Sequence, residues 1–249
     1  MKLIDSKTLL FNLPLKTNDF GIIYQPKLKD FLEFDYVKFK TIFSVRKELY
    51  FDEDNIDGYD KIKDFDIIIF ANLLNDLISS VKLLYKTDDV SINCKHDDVE
   101  NIGILIKQDG ETYFINRNNF TEFANLILIL LHEGNNIAEK EVKKELDEIE
   151  LKIEKRKKEF ERKKAKREAE LRRENNKDEE PLTIFDLANY VIHNNNKYDY
   201  ENVLELTIYQ LMNTFTLYNQ KDGYEVFIRY KTSGNFNIDQ DIGHWFFNK

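Results

Sequence analysis

Residues 102–134, IGILIKQDGETYFINRNNFTEFANLILILLHEG, decide the fold class because two kinds of periodicity meet in them. Apolar and polar residues alternate through IGILIKQ and TYFINR, which is the pattern of strands with one buried face. The Asp109–Gly110 pair between these runs supplies the positive φ angles of a tight hairpin turn. Together with DVSINCKH just upstream, the pattern predicts a small antiparallel sheet of two or three strands over residues 89–117.

A helix is predicted directly after the last strand of this sheet. Asn118 or Asn119 is suited to cap its first turn, because a side-chain oxygen there accepts a hydrogen bond from an unpaired backbone N–H. Gly134 is predicted to end the helix, since glycine adopts the left-handed conformation that often follows a last turn.

The residues before the sheet are predicted to be extended first and helical afterwards. TLLFNLPL and FGIIYQP, within residues 1–27, are short apolar runs punctuated by proline and glycine, which is typical of strands. Apolar residues in 27–50 approximate helical spacing and predict one or two helices. The run FDIIIFANLLNDLISSVKLLYK, residues 65–86, is apolar on most sides and predicts one buried helix.

A charged rod is predicted to follow at residues 136–178. Its first half has a coiled-coil heptad seam, which steps by four, three and four through Val142, Leu146, Ile149 and Ile153. Residues 139–154 hold seven acidic and four basic side chains, whereas 155–173 hold eleven basic and four acidic ones. The helix dipole favours this order. We interpret the rod as a solvated helix joining two packed parts, and binding of nucleic acid or of an acidic protein by its basic half stays open.

Two further helices and an aromatic end complete the chain. LTIFDLANYVIHNNNK predicts a helix capped by Thr183, with Asp186 three residues later. Residues 200–234 predict a long helix that Gly223 kinks or interrupts.

Trp245 is the only tryptophan, and it stands beside Phe246 and Phe247 near the end of the sequence. Two interpretations of these aromatic residues are open. They either fold back onto the helix at residues 203–218 or form a patch that docks a partner.

These patterns predict an α+β fold that is predominantly helical. It combines a small antiparallel sheet, one long charged projecting helix and a C-terminal helical module. The predicted domains are an α+β domain at 1–135, the rod insertion at 136–178 and the C-terminal module at 179–249.

Composition restricts the class of protein. The net charge of −9 argues against a general nucleic-acid binder. Cys94 is the only cysteine, so an internal disulfide is excluded and a reducing compartment is expected. The first residues make a poor signal peptide, and FANLILILLHEG is too short to span a bilayer, so we expect an intracellular protein without membrane contact.

Residue chemistry predicts neither a catalytic site nor a cofactor. The CKHDD motif places Cys94 and His96 on one face of a strand, but a metal site needs more ligands than these two. No flanking pattern supports a Cys–His nucleophile pair, and the sequence lacks a glycine-rich phosphate loop. We therefore expect a non-enzymatic protein with no catalytic residues, no metal and no cofactor; an enzyme of another type is the rival.

Three segments together suggest a family. They are NLPLKTNDFGIIYQPKLKDFLEFDYVKFKTIF, YFINRNNFTEFANLILIL, and the stretch from PLTIFDLANYVIHNNNK through the LTIYQL helix to IGHW. The chain thereby resembles tail-module proteins of phages that infect low-GC Gram-positive bacteria, either tail assembly chaperone-like or tail and baseplate morphogenesis proteins. The resemblance covers most of the chain except the rod.

This resemblance implies a phage morphogenesis protein that assists tail assembly by binding other tail proteins. A minor structural component of the virion, in the tail, baseplate or neck, is one alternative, and nucleic-acid binding through the basic half of the rod is another. The expected location is the host cytoplasm during assembly, or the virion. Other tail or virion proteins, or a second copy of the chain, are the expected partners, and the candidate partner-binding residues are Trp245, Phe246, Phe247, Ile149 and Ile153.

Overall fold

The computed structural model describes residues 4–51, 58–93, 102–133 and 182–233. Apart from residues 182 and 183, all of these belong to one compact unit, which comprises Leu3–Asn136 and Ile184–Lys249. The predicted rod lies outside the described residues. The predicted domain boundaries fall there too, so the three-domain division stays a prediction.

The sheet has the predicted form. It contains β3 (Val90–Asn93), β4 (Gly103–Gln108) and β5 (Glu111–Asn116), paired antiparallel in the order β3–β4–β5. Asp109 and Gly110 form the turn between β4 and β5, with φ angles of 52° and 83°. The strand alternation therefore places Ile104 and Ile106 of β4, with Ile115 of β5, in the core.

Helix α6, Phe120–Leu130, follows β5 as predicted, but its first turn is not capped as predicted. Asn119 occupies the N-cap position, yet its amide bonds backward: Oδ1 accepts from the Asn116 N–H at 2.7 Å and Nδ2 donates to the Phe114 carbonyl at 2.8 Å. The predicted capping bond is therefore wrong, because this side chain secures the strand-to-helix turn. His132, with φ 62°, takes the left-handed position after the helix, and Gly134 lies outside the described residues.

The predicted single helix at 65–86 is wrong. The chain forms α4, Asp64–Phe70, and α5, Leu74–Tyr85, which meet at an angle of 118°. Asn72 lies between them with φ 58°, and the Leu73 N–H returns to the Ile68 carbonyl at 2.9 Å. The bend allows both helices to bury apolar faces, α4 against α6, and α5 against helix α2 (Tyr36–Ser44) and strand β2 (Gly21–Ile23).

No single helix among the described residues is both long and apolar enough to cross a membrane. The bent pair of α4 and α5 reaches that length and composition only when the two helices are taken together.

The N-terminal prediction is partly wrong. TLLFNLPL is not a strand throughout, because α1, Ser6–Leu10, comes first and β1, Leu15–Thr17, begins only at its end. Asp5 starts α1 by accepting a hydrogen bond from the Lys7 N–H at 3.0 Å. The second run, FGIIYQP, does contain a strand, since β2 (Gly21–Ile23) pairs antiparallel with β1.

Residues 27–50 are helical as predicted, with two α-helices preceded by a 3₁₀ turn. They form a 3₁₀ turn at Leu28–Leu32, helix α2 at Tyr36–Ser44 and helix α3 at Lys47–Tyr50. A further 3₁₀ turn, Tyr59–Lys61, precedes α4.

The C-terminal described part contains two helices. Helix α7 runs over Ile184–Asn194, directly after Thr183. A 3₁₀ turn at Asn202–Glu205 leads into α8, Ile208–Thr232. The predicted interruption at Gly223 is wrong, since α8 continues through it without a break.

The core surrounds α6, whose inward residues are fully buried from Phe120 to Leu130. Aromatic rings of α2 reach it, with Phe43 and Phe123 centroids 5.9 Å apart. The start of α8 belongs to the same core. Leu28 donates its N–H to the Leu206 carbonyl at 2.9 Å, and Ile208 donates to the Pro26 carbonyl at 3.0 Å, so the C-terminal helices are joined to the N-terminal residues by backbone hydrogen bonds.

Candidate functional site

The predicted partner-binding residues all lie outside the described residues. They are Trp245, Phe246, Phe247, Ile149 and Ile153, and they stay predictions. Cys94 and His96 also lie outside. Within residues 4–51, 58–93, 102–133 and 182–233, no three His, Cys, Asp or Glu side chains are arranged to hold a metal ion.

Asp64 has the most buried carboxylate in the described part, and its hydrogen bonds hold helices of the fold together. Its Oδ1 accepts from the Lys47 N–H at 2.8 Å, and its Oδ2 accepts from the Thr121 hydroxyl at 2.8 Å. These bonds join α3, α4 and α6 at one point. The carboxylate charge is satisfied by donors of the protein itself.

The carboxylate of Asp66, nearby, also holds two parts of the fold together. Asp66 receives Arg117 in a bidentate pair, with Nε to Oδ1 at 2.7 Å and Nη2 to Oδ2 at 2.8 Å. The Lys63 N–H also donates to Asp66 Oδ2 at 2.8 Å, which caps α4. Arg117 lies in the turn between β5 and α6, so this pair attaches the start of α4 to that turn.

A shallow open groove lies at the end of α5. Asp30, Lys82, Leu83, Lys86, Thr87 and Asp88 line it. Its charges have partners within the protein: Lys82 Nζ lies 3.5 Å from Asp88, and Lys86 Nζ lies 4.7 Å from the Tyr24 ring centroid. The groove therefore presents mixed, internally paired charge rather than a site for an ion of one sign.

Apolar side chains are concentrated on the turn between α1 and β1, which we call the 10–14 turn. Its large apolar residues project into solvent, with 41% exposure for Leu10, 70% for Phe11 and 50% for Leu13, and Pro14 is exposed as well. Successive large apolar residues on an exposed turn are a feature of protein-binding surfaces.

Hydrogen bonds fix the backbone of this turn. Asn12 has φ 53°, and the Leu13 N–H returns to the Thr8 carbonyl at 3.0 Å, which closes the end of α1. Beneath the turn, the buried Gln25 donates from Nε2 to the Thr8 carbonyl at 2.7 Å and to the Leu13 carbonyl at 3.1 Å. The apolar side chains are thus held outward on a backbone that is already ordered.

The same turn is joined to α8. Gln210 Nε2 donates to the Leu10 carbonyl at 2.7 Å, while Gln210 Oε1 accepts from the Thr207 N–H at 3.0 Å. The Thr207 hydroxyl in turn accepts from the Gln210 N–H at 3.1 Å, which completes a capping box. One side chain therefore both caps α8 and holds the 10–14 turn.

An exposed ionic cluster lies just before α8. Glu205 accepts from Lys27 Nζ and Lys29 Nζ, both at 2.6 Å. The hydrogen bond from Lys27, followed by that from Lys29, lowers the pKa of Glu205 to about 2. The bond to Glu205 also raises the pKa of Lys29. The cluster connects the 3₁₀ turn before α8 with the 3₁₀ turn after β2.

Comparison with protein families identifies a relationship for this C-terminal part. Residues 174–248 match a family model. The matching family is the YomV second domain. This family is phage-derived, YomV-like from Bacillus phage SPBc2, and the match fits a phage protein of Gram-positive hosts. No curated protein and no solved structure matches the chain.

The matched segment, residues 174–248, is less than half of the chain and includes α7, α8 and Trp245. The 10–14 turn lies outside it but is hydrogen-bonded to it through Gln210. Sequence reasoning missed this turn because the run was interpreted as a strand. Asn12 is the signal that could have identified the turn. It lies between apolar residues and shortly before a proline, and asparagine tolerates positive φ.

Proposed function

We propose that the protein is a non-enzymatic phage morphogenesis protein that assists tail assembly by binding other tail proteins in the host cytoplasm. Two observations support a phage role. The matched segment is similar to a phage-derived family. In addition, three segments of the sequence resemble tail-module proteins of phages of Gram-positive bacteria.

The 10–14 turn is the observation that supports binding. Its apolar side chains stand on a backbone that Gln25 and Gln210 already hold, so little conformational entropy is lost when a partner covers them. Phe11 is the natural anchor, because aromatic side chains at the centre of an interface contribute most of the binding energy. The partner we propose is an apolar segment of a tail protein.

Removing the gene from a phage that carries it tests the proposal. Lysates should then contain filled heads with absent or abnormal tails in electron micrographs, and the intact gene supplied in trans should restore infective particles. Normal tails and normal titre without the gene would overturn the proposal.

The same complementation assay tests the surface. Phe11→Ser and Leu13→Ser together should fail to restore tails, because they remove the apolar anchor while the backbone bonds remain. Phe70→Ser is the matched control: Phe70 is 83% exposed at the corner of α4 and α5, and its replacement should restore tails normally. Full complementation by the double variant would remove the 10–14 turn from the proposal.

Mass spectrometry of gradient-purified particles distinguishes the assembly factor from the alternative, a minor virion component. An assembly factor should be missing from finished particles. A structural component of the tail, baseplate or neck should be found at a constant ratio to the other tail proteins.

A further inference from the structure

Three of the four outer edges of the sheets β1–β2 and β3–β4–β5 are protected against pairing with another strand. On the outer edge of β5, the Asn119 amide bonds to a backbone N–H and a backbone carbonyl of the strand. On the outer edge of β2, the Gln108 amide bonds to the N–H and the carbonyl of Ile22, at 2.9 and 3.0 Å. Strand β1 carries an exposed lysine, Lys16, at its centre, and lysine on an edge strand opposes further pairing.

Strand β3 has neither kind of protection at its outer edge. The Lys107 N–H donates to the Asp89 carbonyl at 3.1 Å, so Asp89 and every second residue after it direct their backbone groups toward β4. Ile92 therefore directs its N–H and its carbonyl away from the sheet, and neither group has a hydrogen-bond partner within the described part of the chain. The strand, VSIN, contains no charged residue and no proline, so its edge is free to accept another strand.

The side chain of Ile92 gives this edge an apolar part. Ile92 lies opposite Ile104 in the register of the sheet, and the two side chains project from the same face. Ile104 is fully buried, whereas Ile92 is 38% exposed. The apolar row across the sheet therefore ends at an exposed edge, where an apolar side chain placed beside Ile92 would remove it from water.

We propose that β3 pairs antiparallel with β3 of a second copy of the chain, about a two-fold axis that passes beside Ile92. Such an axis brings one residue opposite its own copy, so this residue must offer both a donor and an acceptor. Ile92 offers both: each N–H donates to the carbonyl of the other Ile92. The two three-stranded sheets then form one continuous sheet, and the two Ile92 side chains cover each other.

The charges beside β3 favour this arrangement over a parallel one. Asp88 and Asp89 directly precede the strand. In the antiparallel pair the two copies of Asp89 lie on opposite sides of the axis, three residues from it, and are therefore roughly 20 Å apart at ~3.3 Å per residue. That separation exceeds the screening length of ~8 Å at physiological ionic strength. A parallel pair in register would place each aspartate roughly 5 Å from its own copy, which is repulsive.

Sedimentation velocity of the full chain over a wide range of concentration tests the proposal. The unmodified protein should convert from monomer to dimer as its concentration rises. Ile92→Pro should weaken the dimer by at least about tenfold, because it removes the N–H that pairs, while an edge strand tolerates proline where the N–H faces outward. Ile92→Val, which keeps the N–H and a branched apolar side chain, is the matched control and should change the dissociation constant by less than about threefold.

Disulfide cross-linking measures the register and does not depend on Ile92→Pro remaining folded. The background is Cys94→Ser, which leaves no other cysteine in the chain. Ile92→Cys should form an intermolecular disulfide under mild oxidation, because the Cα atoms of a hydrogen-bonded antiparallel pair lie ~5.5 Å apart, within the reach of a disulfide. Ser91→Cys is the control. Its two copies would lie roughly 8 Å apart, which is too far, so it should cross-link on the order of tenfold less.

Three results would overturn the proposal: a monomer at every concentration, a dimer that Ile92→Pro does not weaken, or equal cross-linking at positions 91 and 92. The first would leave the β3 edge to a strand of a different protein. The second would place the contact between the two copies elsewhere on the surface, and the third would reject the two-fold axis beside Ile92.

Discussion

The two halves of α8 have the same secondary structure but different surroundings. The first half, residues 207–218, begins with a reciprocal cap between Thr207 and Gln210 and buries Ile208 and Leu211 completely. The second half, residues 219–232, contains a glycine, contributes nothing to the described core and still continues as regular helix.

This difference shows that helix continuity and helix packing have separate causes. The first half is held by tertiary contacts, which stabilise most protein helices. The second half extends an already nucleated helix, in which each added residue gains a backbone hydrogen bond without a new nucleation cost. Substitutions of buried residues in the first half should therefore alter the stability of the whole unit, whereas substitution of an exposed apolar residue in the second half, such as Val226, should alter it little.

The largest effect is expected at Leu211. Leu211→Ala should lower the free energy of unfolding by about 2–5 kcal/mol, because it leaves a cavity in the core beside α8. Val226→Ala is the matched control in the distal half and should change stability by about 0.5 kcal/mol or less. Urea unfolding followed by circular dichroism measures both. Equal losses would show that the distal half is packed as tightly as the first.

The cap should matter next. Thr207→Ala removes the hydroxyl that accepts from the Gln210 N–H, and Thr207 is buried, so we expect a loss of about 1–2 kcal/mol. Thr232→Ala, at the exposed end of the same helix, should have almost no effect. If thermal unfolding shifts equally for both variants, the two ends of α8 do not differ in the way we describe.

A substitution at Gly223, in the distal half, is expected to raise the stability of the protein rather than lower it. A Cβ atom at Gly223 would have no neighbour within 4 Å, so Gly223→Ala should stabilise the protein by up to about 1 kcal/mol through helix propensity. Gly110→Ala is the contrast. It has equally open space but φ of 83°, and should destabilise by about 1 kcal/mol. A destabilising Gly223→Ala would indicate a close contact on this side of the helix.

The smallest effect concerns the ionic cluster before α8. Because the folded state lowers the pKa of Glu205 from 4.5 to about 2, the cluster stabilises the fold above pH 4.5, and this contribution is lost as the pH falls toward 2. Glu205→Gln should remove that part of the pH dependence and change stability little at neutral pH, since the cluster is solvent-exposed. Unfolding curves between pH 6 and 3, compared for both proteins, give the measurement; identical curves would contradict the assignment.

The sheet was predictable because its signals are local. Alternation places Ile104, Ile106 and Ile115 on one face, and the Asp109–Gly110 turn sets the register between β4 and β5. Neither signal needs information from distant residues.

The ends of several helices were not predictable, and they share one geometry. Two residues after the last residue of α1, α4 and α6 comes a residue with positive φ, which is Asn12, Asn72 or His132. In each case the following N–H returns to a carbonyl five residues earlier. Glycine is the usual sequence signal for this ending. Its absence explains why α1 was missed and why α4 and α5 were predicted as one helix.

The candidate site also has one part that the sequence predicted and one part that it did not. The sequence pointed to the aromatic residues around Trp245, which lie outside the described residues. It did not indicate the 10–14 turn, because exposure of Phe11 depends on Gln25 and Gln210, which reach the turn from separate parts of the chain.

The sequence by itself determined the class of fold, the hairpin and the helical character of most of the described chain, because these depend on periodicity and on turn residues close together. Only the tertiary structure decided where helices stop, how α4 and α5 bend, and which apolar residues remain exposed. Those features depend on which apolar segments of the chain pack into the single core and which are left outside it. An apolar side chain is buried only where the position of its backbone places it in the core. Here, hydrogen bonds between residues as distant as Leu10 and Gln210 fix that position.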